Sequence, residues 1–350
     1  MTPKALVGIV ANPASGKDIR RLVGHATTFD NQSKIGLMRC ALVGMAALGV
    51  DQVLIMPDTQ RLGDRTLDGL RRSGDPLPPA EILDMTVTDQ AVDSETAAAL
   101  MRAAGARCLL VLGGDGTARA VSKGAGEVPM LAVSTGTNNV LPSFVEGTVA
   151  GMAAGAVASG LVPLSEAARS HKWLELSING VACDRDLVDA VELVGAFVGS
   201  RAVWHAEDLR QALVTRADPA SIGLSAIAGV VQPLPPDASE GVVLKLDPAA
   251  PRQVLAAIGP GLLREIGISA VRPLAVGERV DLGATRPLVV ALDGERERVL
   301  YAGDSGYLTL RADGPWLVDA PRTMRALAAL GFFERNSGPR TRVVPPPGRG

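Results

Sequence analysis

The densest concentration of chemistry in the sequence is Gly113-Gly114-Asp115-Gly116-Thr117, between the apolar, strand-like run Cys108 to Leu112 and a short helix-like stretch, Ala118 to Lys123. Glycines at a strand-to-helix turn let backbone N–H groups approach a phosphate chain without side chains in the way. Asp115 is the odd residue there. A carboxylate beside phosphate is repelled unless it binds a metal ion or takes a proton from an attacking hydroxyl, and phosphoryl transfer needs both roles. The bland alternative is a turn in which Asp115 caps the helix that follows. A second loop, Ser134-Thr135-Gly136-Thr137-Asn138-Asn139, gathers hydroxyls and amides able to bond a ribose or phosphates. Its plain alternative is a hydroxyl-capped turn before a helix starting near Leu141.

Ala11 to Asp18 is almost a P-loop. Gly16-Lys17 is in place, but Ala11 stands where the first glycine belongs and Asp18 where a magnesium-holding Ser or Thr belongs, so that reading is rejected. Asn12-Pro13 and Ser15-Gly16 can still line a nucleotide site from a neighbouring strand end. Asp293-Gly294-Glu295 is a good hairpin turn. Glu295 is nevertheless well placed as a base if the second half of the chain folds over the first. His25, His171 and His205 share no metal spacing; His25, in the polar loop His25 to Ser33, is a substrate-side candidate. No Gly-x-Gly-x-x-Gly follows the first strand, which counts against an ordinary dehydrogenase.

These loops need elements to hold them. Leu6 to Val10 reads as a strand, Ser33 to Leu48 as a helix closed by Gly49, and Gln52 to Met56 as a second buried strand. Ile82 to Val87, a helix from Thr88 or Asp89 to Gly105, Cys108 to Leu112 and Met130 to Val133 repeat the alternation. Strands alternating with helices argue for a parallel sheet covered on both faces, with ligands at the carboxyl ends of its strands. Thr148 to Pro163 is rich in Gly and Ala, too short to span a bilayer, and reads as a buried helix.

After about Val162 the pattern changes. Trp173 to Ile178 alternates with period two into Asn179-Gly180, a hairpin signal; Gly241 to Leu246 and Pro287 to Leu292 are strand-like with little helix between them, and Asp313-Gly314 is a further hairpin signal. The expected fold is α/β: an N-terminal Rossmann-like parallel-sheet nucleotide domain (1–162) and a C-terminal antiparallel, β-rich, sandwich-like domain (163–312). A helix within 313–335 returns to the first domain, and 336–350 forms a tail.

The 350 residues are 47% hydrophobic and 21% charged, enough for a large core. A formal net charge of −2 and a pI near 6.0 leave no basic field for nucleic acid or an anionic membrane. Cys40, Cys108 and Cys183 are odd in number and far apart, and no charged-then-apolar leader precedes the first strand, so a cytoplasmic location is expected.

Taken in order, Asn12-Pro13-x-Ser15-Gly16, Gly113-Gly114-Asp115-Gly116-Thr117, Gly136-Thr137-x-Asn139 and Asp293-Gly294-Glu295 resemble the NAD kinase and diacylglycerol kinase superfamily. Over roughly residues 4 to 335 the chain looks most like its ATP-NAD kinase-like branch, the acetoin catabolism protein X family. The resemblance implies a cleft between an α/β and a β-rich domain, with ATP and magnesium as cofactors and NAD or a related small hydroxylated metabolite as acceptor. It implies a nucleotide set of Asn12, Ser15, Gly16, Gly113, Gly114, Gly116, Thr117, Thr135, Gly136, Thr137, Asn138 and Asn139. Asp115 matches the base of NAD kinases and is the residue nearest a magnesium role; Glu295 matches the base of the lipid kinases. Where NAD kinases grip the dinucleotide with an Asn-Glu pair, this chain offers Val188-Asp189, and their Gly-Ser-Thr-Ala-Tyr stretch has no match in Ile222 to Gln232. Homo-oligomers are common in the superfamily and are expected here. A non-catalytic nucleotide sensor remains the alternative to a kinase.

Overall fold

The computed structural model describes residues 4–16, 29–136, 139–194, 208–283, 287–292 and 296–334. The first part of the chain alternates as expected: β1 (Leu6–Ala11), α1 (Asn31–Ala47), β2 (Gln52–Ile55), α2 (Leu62–Ser73), β3 (Ala80–Ile82) and α3 (Ala91–Ala103). β4 (Cys108–Gly113), α4 (Asp115–Ala125), β5 (Met130–Ser134), α5 (Gly147–Ser159), α6 (Leu164–Ala167) and β6 (Ala168–Ser170) follow. β1 to β5 pair in parallel in the order β3-β2-β1-β4-β5. All residues of β1, β4 and β5 are buried, as both faces of this sheet are covered.

Two apolar layers flank the sheet. On one face, Ile35, Met38, Leu42 and Met45 of α1 pack with Leu62, Leu67 and Leu70 of α2 and the alanines of α5. On the other, Ala97, Ala98 and Met101 of α3 meet Ala118, Val121 and Ala125 of α4. α1 starts where the Asp30 carboxylate accepts the Ser33 N–H at 2.7 Å. α1 and α5 cross at backbone contact: a Cβ on Gly151 would strike the Ala41 carbonyl, and one on Gly147 would lie 2.6 Å from the Leu37 carbonyl oxygen. The glycines and alanines of this segment, expected as a buried helix, therefore serve helix-to-helix approach.

The second part runs β7 (Trp173–Ile178), β8 (Val181–Asp186), β9 (Asp189–Val194), β10 (Leu209–Val214), α7 (Leu224–Val231) and β11 (Glu240–Leu246). It continues with β12 (Gln253–Gly259), β13 (Leu262–Ala275), β14 (Arg279–Asp281), β15 (Leu288–Leu292), β16 (Arg296–Leu300), β17 (Gly306–Arg311), β18 (Trp316–Val318) and α8 (Ala320–Ala329). A seven-stranded sheet, β12-β13-β11-β10-β9-β15-β16, faces a four-stranded one, β14-β17-β7-β8, and both are antiparallel. Leu174, Leu176, Leu308 and Leu310 of the smaller sheet pack against Leu213, Val243, Leu274 and Val290 of the larger. α7 covers the outer face of the larger sheet through Leu224, Ile227 and Ala228.

The β7–β8 hairpin forms at Asn179-Gly180, whose φ values of 53° and 78° are those of a tight two-residue turn. Asp313-Gly314 does not make a hairpin. It carries the chain from β17 to β18, which joins the first sheet beside β5 in parallel and pairs antiparallel with β6. The first sheet therefore reads β3-β2-β1-β4-β5-β18-β6. The helix expected near Leu141 begins at Gly147, because Ser143 continues as an extended bridge to Val133. α2 and α7 escaped the sequence reading: α2 is mostly polar outside Leu62, Leu67 and Leu70, and α7 is a short apolar run without helical periodicity.

Candidate functional site

The chain leaves β1 to build β2 and β3 on one side, then returns to build β4 and β5 on the other, so the ends of β1 and β4 flank a topological switch point. Three loops meet there and are tied together by side chains. Asn12 Nδ2 donates to Thr117 Oγ1 at 2.9 Å, joining the β1 loop to α4. Ser15 Oγ and Thr135 Oγ1 share a 2.8 Å hydrogen bond, joining the β1 loop to the β5 loop. The Thr135 N–H reaches the Gly113 carbonyl at 3.1 Å, and Asn139 Nδ2 donates to Ser134 Oγ at 2.8 Å. Asn12, Ser15, Gly113, Gly114, Thr117, Thr135 and Asn139 thus belong to one constellation. Gly16 has φ 77°, and Gly116 lies in the first turn of α4.

Glycine in this loop has a cause beyond room for phosphate. A Cβ on Gly113 would collide with the Thr117 side chain, and one on Gly114 would lie 2.8 Å from Asn139 Oδ1. The loop is closed by its neighbours rather than left open. Gly114 caps α4 with extended backbone and no side-chain bond, so the first N–H groups of α4 have no side-chain cap at the switch point. Such an end favours an anion through the direction of its N–H groups and its dipole.

Asp115 is the first residue of α4 and is buried. It does not cap its own helix. Its Oδ2 accepts the Val140 N–H at 2.9 Å and its Oδ1 the Leu141 N–H at 2.8 Å, which fixes the chain after Asn139. A carboxylate has about four lone-pair sites, so two backbone N–H bonds do not by themselves exhaust what it can accept.

Two cations that sequence reading passed over shape the site. Lys34, on the buried stripe of α1 with Met38 and Met45, is itself fully buried. Its Nζ donates to the carbonyls of Asn12, Pro13 and Ser15 at 2.8, 3.2 and 2.7 Å and to Asn31 Oδ1 at 3.2 Å. A lysine at a core position of an apolar stripe was the signal for it. Arg216 follows β10, and its Nε is buried without a hydrogen-bond partner among the described residues. Burial pulls the guanidinium pKa down, and the carboxylates of Asp115 and Asp218 oppose that shift. Arg216 therefore brings a positive charge from the β-rich half to Asp115.

Beside it, His171 is buried and its Nε2 lies 2.8 Å from the Leu187 carbonyl. Burial lowers its pKa to about 4 against the opposing carbonyl bond, helped by the charges of Arg216 and Lys172. Lys172 donates to the carbonyls of Ala238 and Glu240, and burial brings its pKa down to about 8. Asp189 opens β9 opposite Val214, two residues before Arg216, and its N–H donates to Asp186 Oδ1 at 3.0 Å. Thr137, Asn138, His25, Asp293, Gly294 and Glu295 lie outside the described residues.

Among the described residues no three His, Cys, Asp or Glu side chains gather into a metal cage. Magnesium in phosphoryl transfer needs none: it binds through one or two carboxylates plus substrate phosphates, and Asp115 beside the uncapped end of α4 fits that pattern. No helix among the described residues is long and apolar enough to cross a membrane.

Comparison with known proteins agrees with this geometry. Residues 57–161 match the ATP-NAD kinase N-terminal domain, and residues 172–313 match the acetoin catabolism protein X C-terminal domain. Acetoin catabolism protein X of Cupriavidus necator is 38% identical over 331 residues, 91% of each chain. Among solved structures, yeast NADH kinase complexed with NADH aligns with 97% of this chain and 90% of its own at 17% identity and a TM-score of 0.50. A putative diacylglycerol kinase from Bacillus anthracis aligns with 91% of this chain and 98% of its own at 12% identity, with a TM-score of 0.46. The chain belongs to the acetoin catabolism protein X family and has the NAD kinase-like fold expected from its motifs.

Proposed function

We propose that this member of the acetoin catabolism protein X family is a magnesium- and ATP-dependent phosphotransferase acting on a hydroxyl of NAD or a related small metabolite. The observation that carries the reading is the convergence of the β1, β4 and β5 loops, cross-tied by Asn12–Thr117 and Ser15–Thr135, on the uncapped N-terminus of α4. In this reading Gly113, Gly114, Gly116, Thr117, Thr135, Gly136, Thr137, Asn138 and Asn139 hold the triphosphate, with Asn12, Ser15 and Gly16 beside them. Magnesium, when bound, neutralises charge on the phosphates. Arg216 supplies a second positive charge where phosphoryl transfer builds negative charge. Asp115 or Glu295 takes the proton of the acceptor hydroxyl, His25 and Asp189 lie on the acceptor side, and the enzyme works in the cytoplasm as a homo-oligomer.

A second reading, a nucleotide sensor without turnover, is favoured by one observation. Both oxygens of Asp115 already hold backbone N–H groups, which is what a purely architectural carboxylate would do. A kinase assay with ATP and magnesium, offering NAD and then a panel of hydroxylated metabolites to wild type and Asp115→Asn, separates the two. Transfer lost by at least a hundredfold in Asp115→Asn supports the kinase with Asp115 as base. Transfer retained in the variant moves that role to Glu295, and ATP binding without transfer to any acceptor supports the sensor.

A further inference from the structure

We infer that Asp184 is a positioning residue that ties α4, the helix headed by Asp115, to β16 of the larger antiparallel sheet, so that these two elements move as one. Asp184 is on β8, an edge strand of the smaller antiparallel sheet, and its side chain is wholly buried. Its Oδ1 receives Lys123 Nζ at 2.8 Å, and Lys123 stands two turns beyond Asp115 on α4. Its Oδ2 receives Arg298 Nη2 at 2.9 Å and Nε at 3.3 Å, and Arg298 is on β16. The Arg185 N–H adds a bond to Oδ1 at 2.9 Å. One carboxylate therefore bridges three elements from three different sheets or layers.

The electrostatics are consistent with a permanent tie. Burial alone would raise the Asp184 pKa, but the hydrogen bonds from Lys123, the Arg185 N–H and Arg298 bring it to about 2, so the ion triad is intact throughout the neutral range. Removing the carboxylate would leave Lys123 without its acid partner and free β16 from α4. Nearby contacts cannot replace it: Arg185 stacks on Trp173 at 4.2 Å and reaches the Ser122 carbonyl only at 3.4 Å.

The inference rests on the phosphotransferase reading for its catalytic consequence, but the mechanical coupling can be tested without it. Hydrogen exchange on the full chain should show Lys123→Met accelerating exchange in β16, and Arg298→Met accelerating it in α4, each at least tenfold. Effects confined to the mutated element would overturn the coupling, whatever the protein's activity. In the kinase assay, Asp184→Asn should lower kcat at least tenfold while the KM for ATP stays within twofold, with Asp184→Glu recovering part of kcat. Equal loss in both parameters, or none, would overturn the positioning role. A wild type with no transfer but reciprocal exchange would keep the tie and reject the phosphotransferase reading.

Discussion

The two halves of the molecule are held together by different means. The antiparallel half closes mainly over apolar side chains: Leu174, Leu176, Leu308 and Leu310 meet Leu213, Leu274 and Val290, and the buried Gln211 donates to Glu192 Oε1 at 2.8 Å within the larger sheet. The parallel half has comparable apolar layers, yet at its carboxyl edge it places buried polar groups, Lys34, Asp115, Thr117, Ser134 and Thr135, and uses them to tie loops to one another. Apolar packing is non-directional and tolerates small shifts. A buried lysine with several acceptors fixes its loop to a fraction of an ångström, because each unmet acceptor is costly. The difference teaches where positional accuracy is needed.

The largest expected effect breaks the polar half. Lys34→Met removes the donor that the carbonyls of Asn12, Pro13 and Ser15 share and should cost about 3 kcal/mol of stability or more in chemical denaturation. Its ATP affinity, measured calorimetrically on the folded fraction, should also fall at least tenfold. Leu308→Ala is the matching lesion in the apolar half and should cost about 3 kcal/mol while leaving the ATP affinity of the folded protein within twofold. An affinity loss there as large as that of Lys34→Met would erase the distinction.

The border between the halves should be sensitive to pH through His171. Its folded pKa, about 4, lies below the ordinary value of 6.5, so the unfolded chain binds the extra proton first. Stability should therefore be complete above pH 7 and decline as pH falls, by about 2 kcal/mol between pH 7 and pH 5. His171→Gln should flatten that slope in urea midpoints taken across this range. The smallest effect belongs to the β7–β8 turn, where Gly180→Ala places a side chain at φ 78° and should lower stability by about 1 kcal/mol with no change in ATP affinity.

Much of this was legible from residue order. The glycine-rich loop, the hydroxyl-rich loop and Asn12 are local signals, and alternation of strand and helix places them at one sheet edge. The switch from a helical to a two-residue period near Trp173 announced the antiparallel half. What the sequence hid depends on contacts across long separations. Nothing local in Asp115 says that Val140 and Leu141 supply its hydrogen bonds, or that Arg216 comes to it from the other half. Asp313-Gly314 has the composition of a hairpin, but the strand after it finds β5 and β6 as partners rather than β17. Asp184 looks like an ordinary polar residue of an edge strand; only its burial between Lys123 and Arg298 distinguishes it.

The pairing of β18 with β5 also sets a timetable for synthesis. β1 to β5 can assemble as soon as residue 134 is free of the ribosome, and Ser143 soon bridges the outer edge of β5 at Val133, but the Met130 end of that edge waits for its strand partner until Leu317 is made. At about 5–20 residues per second, that end of the edge stays bare for roughly 10–40 seconds. A nascent chain stalled before Trp316 would present the Met130 end of β5 as a short template for strand addition by another chain, so truncations inside the antiparallel half should aggregate more than the full chain does.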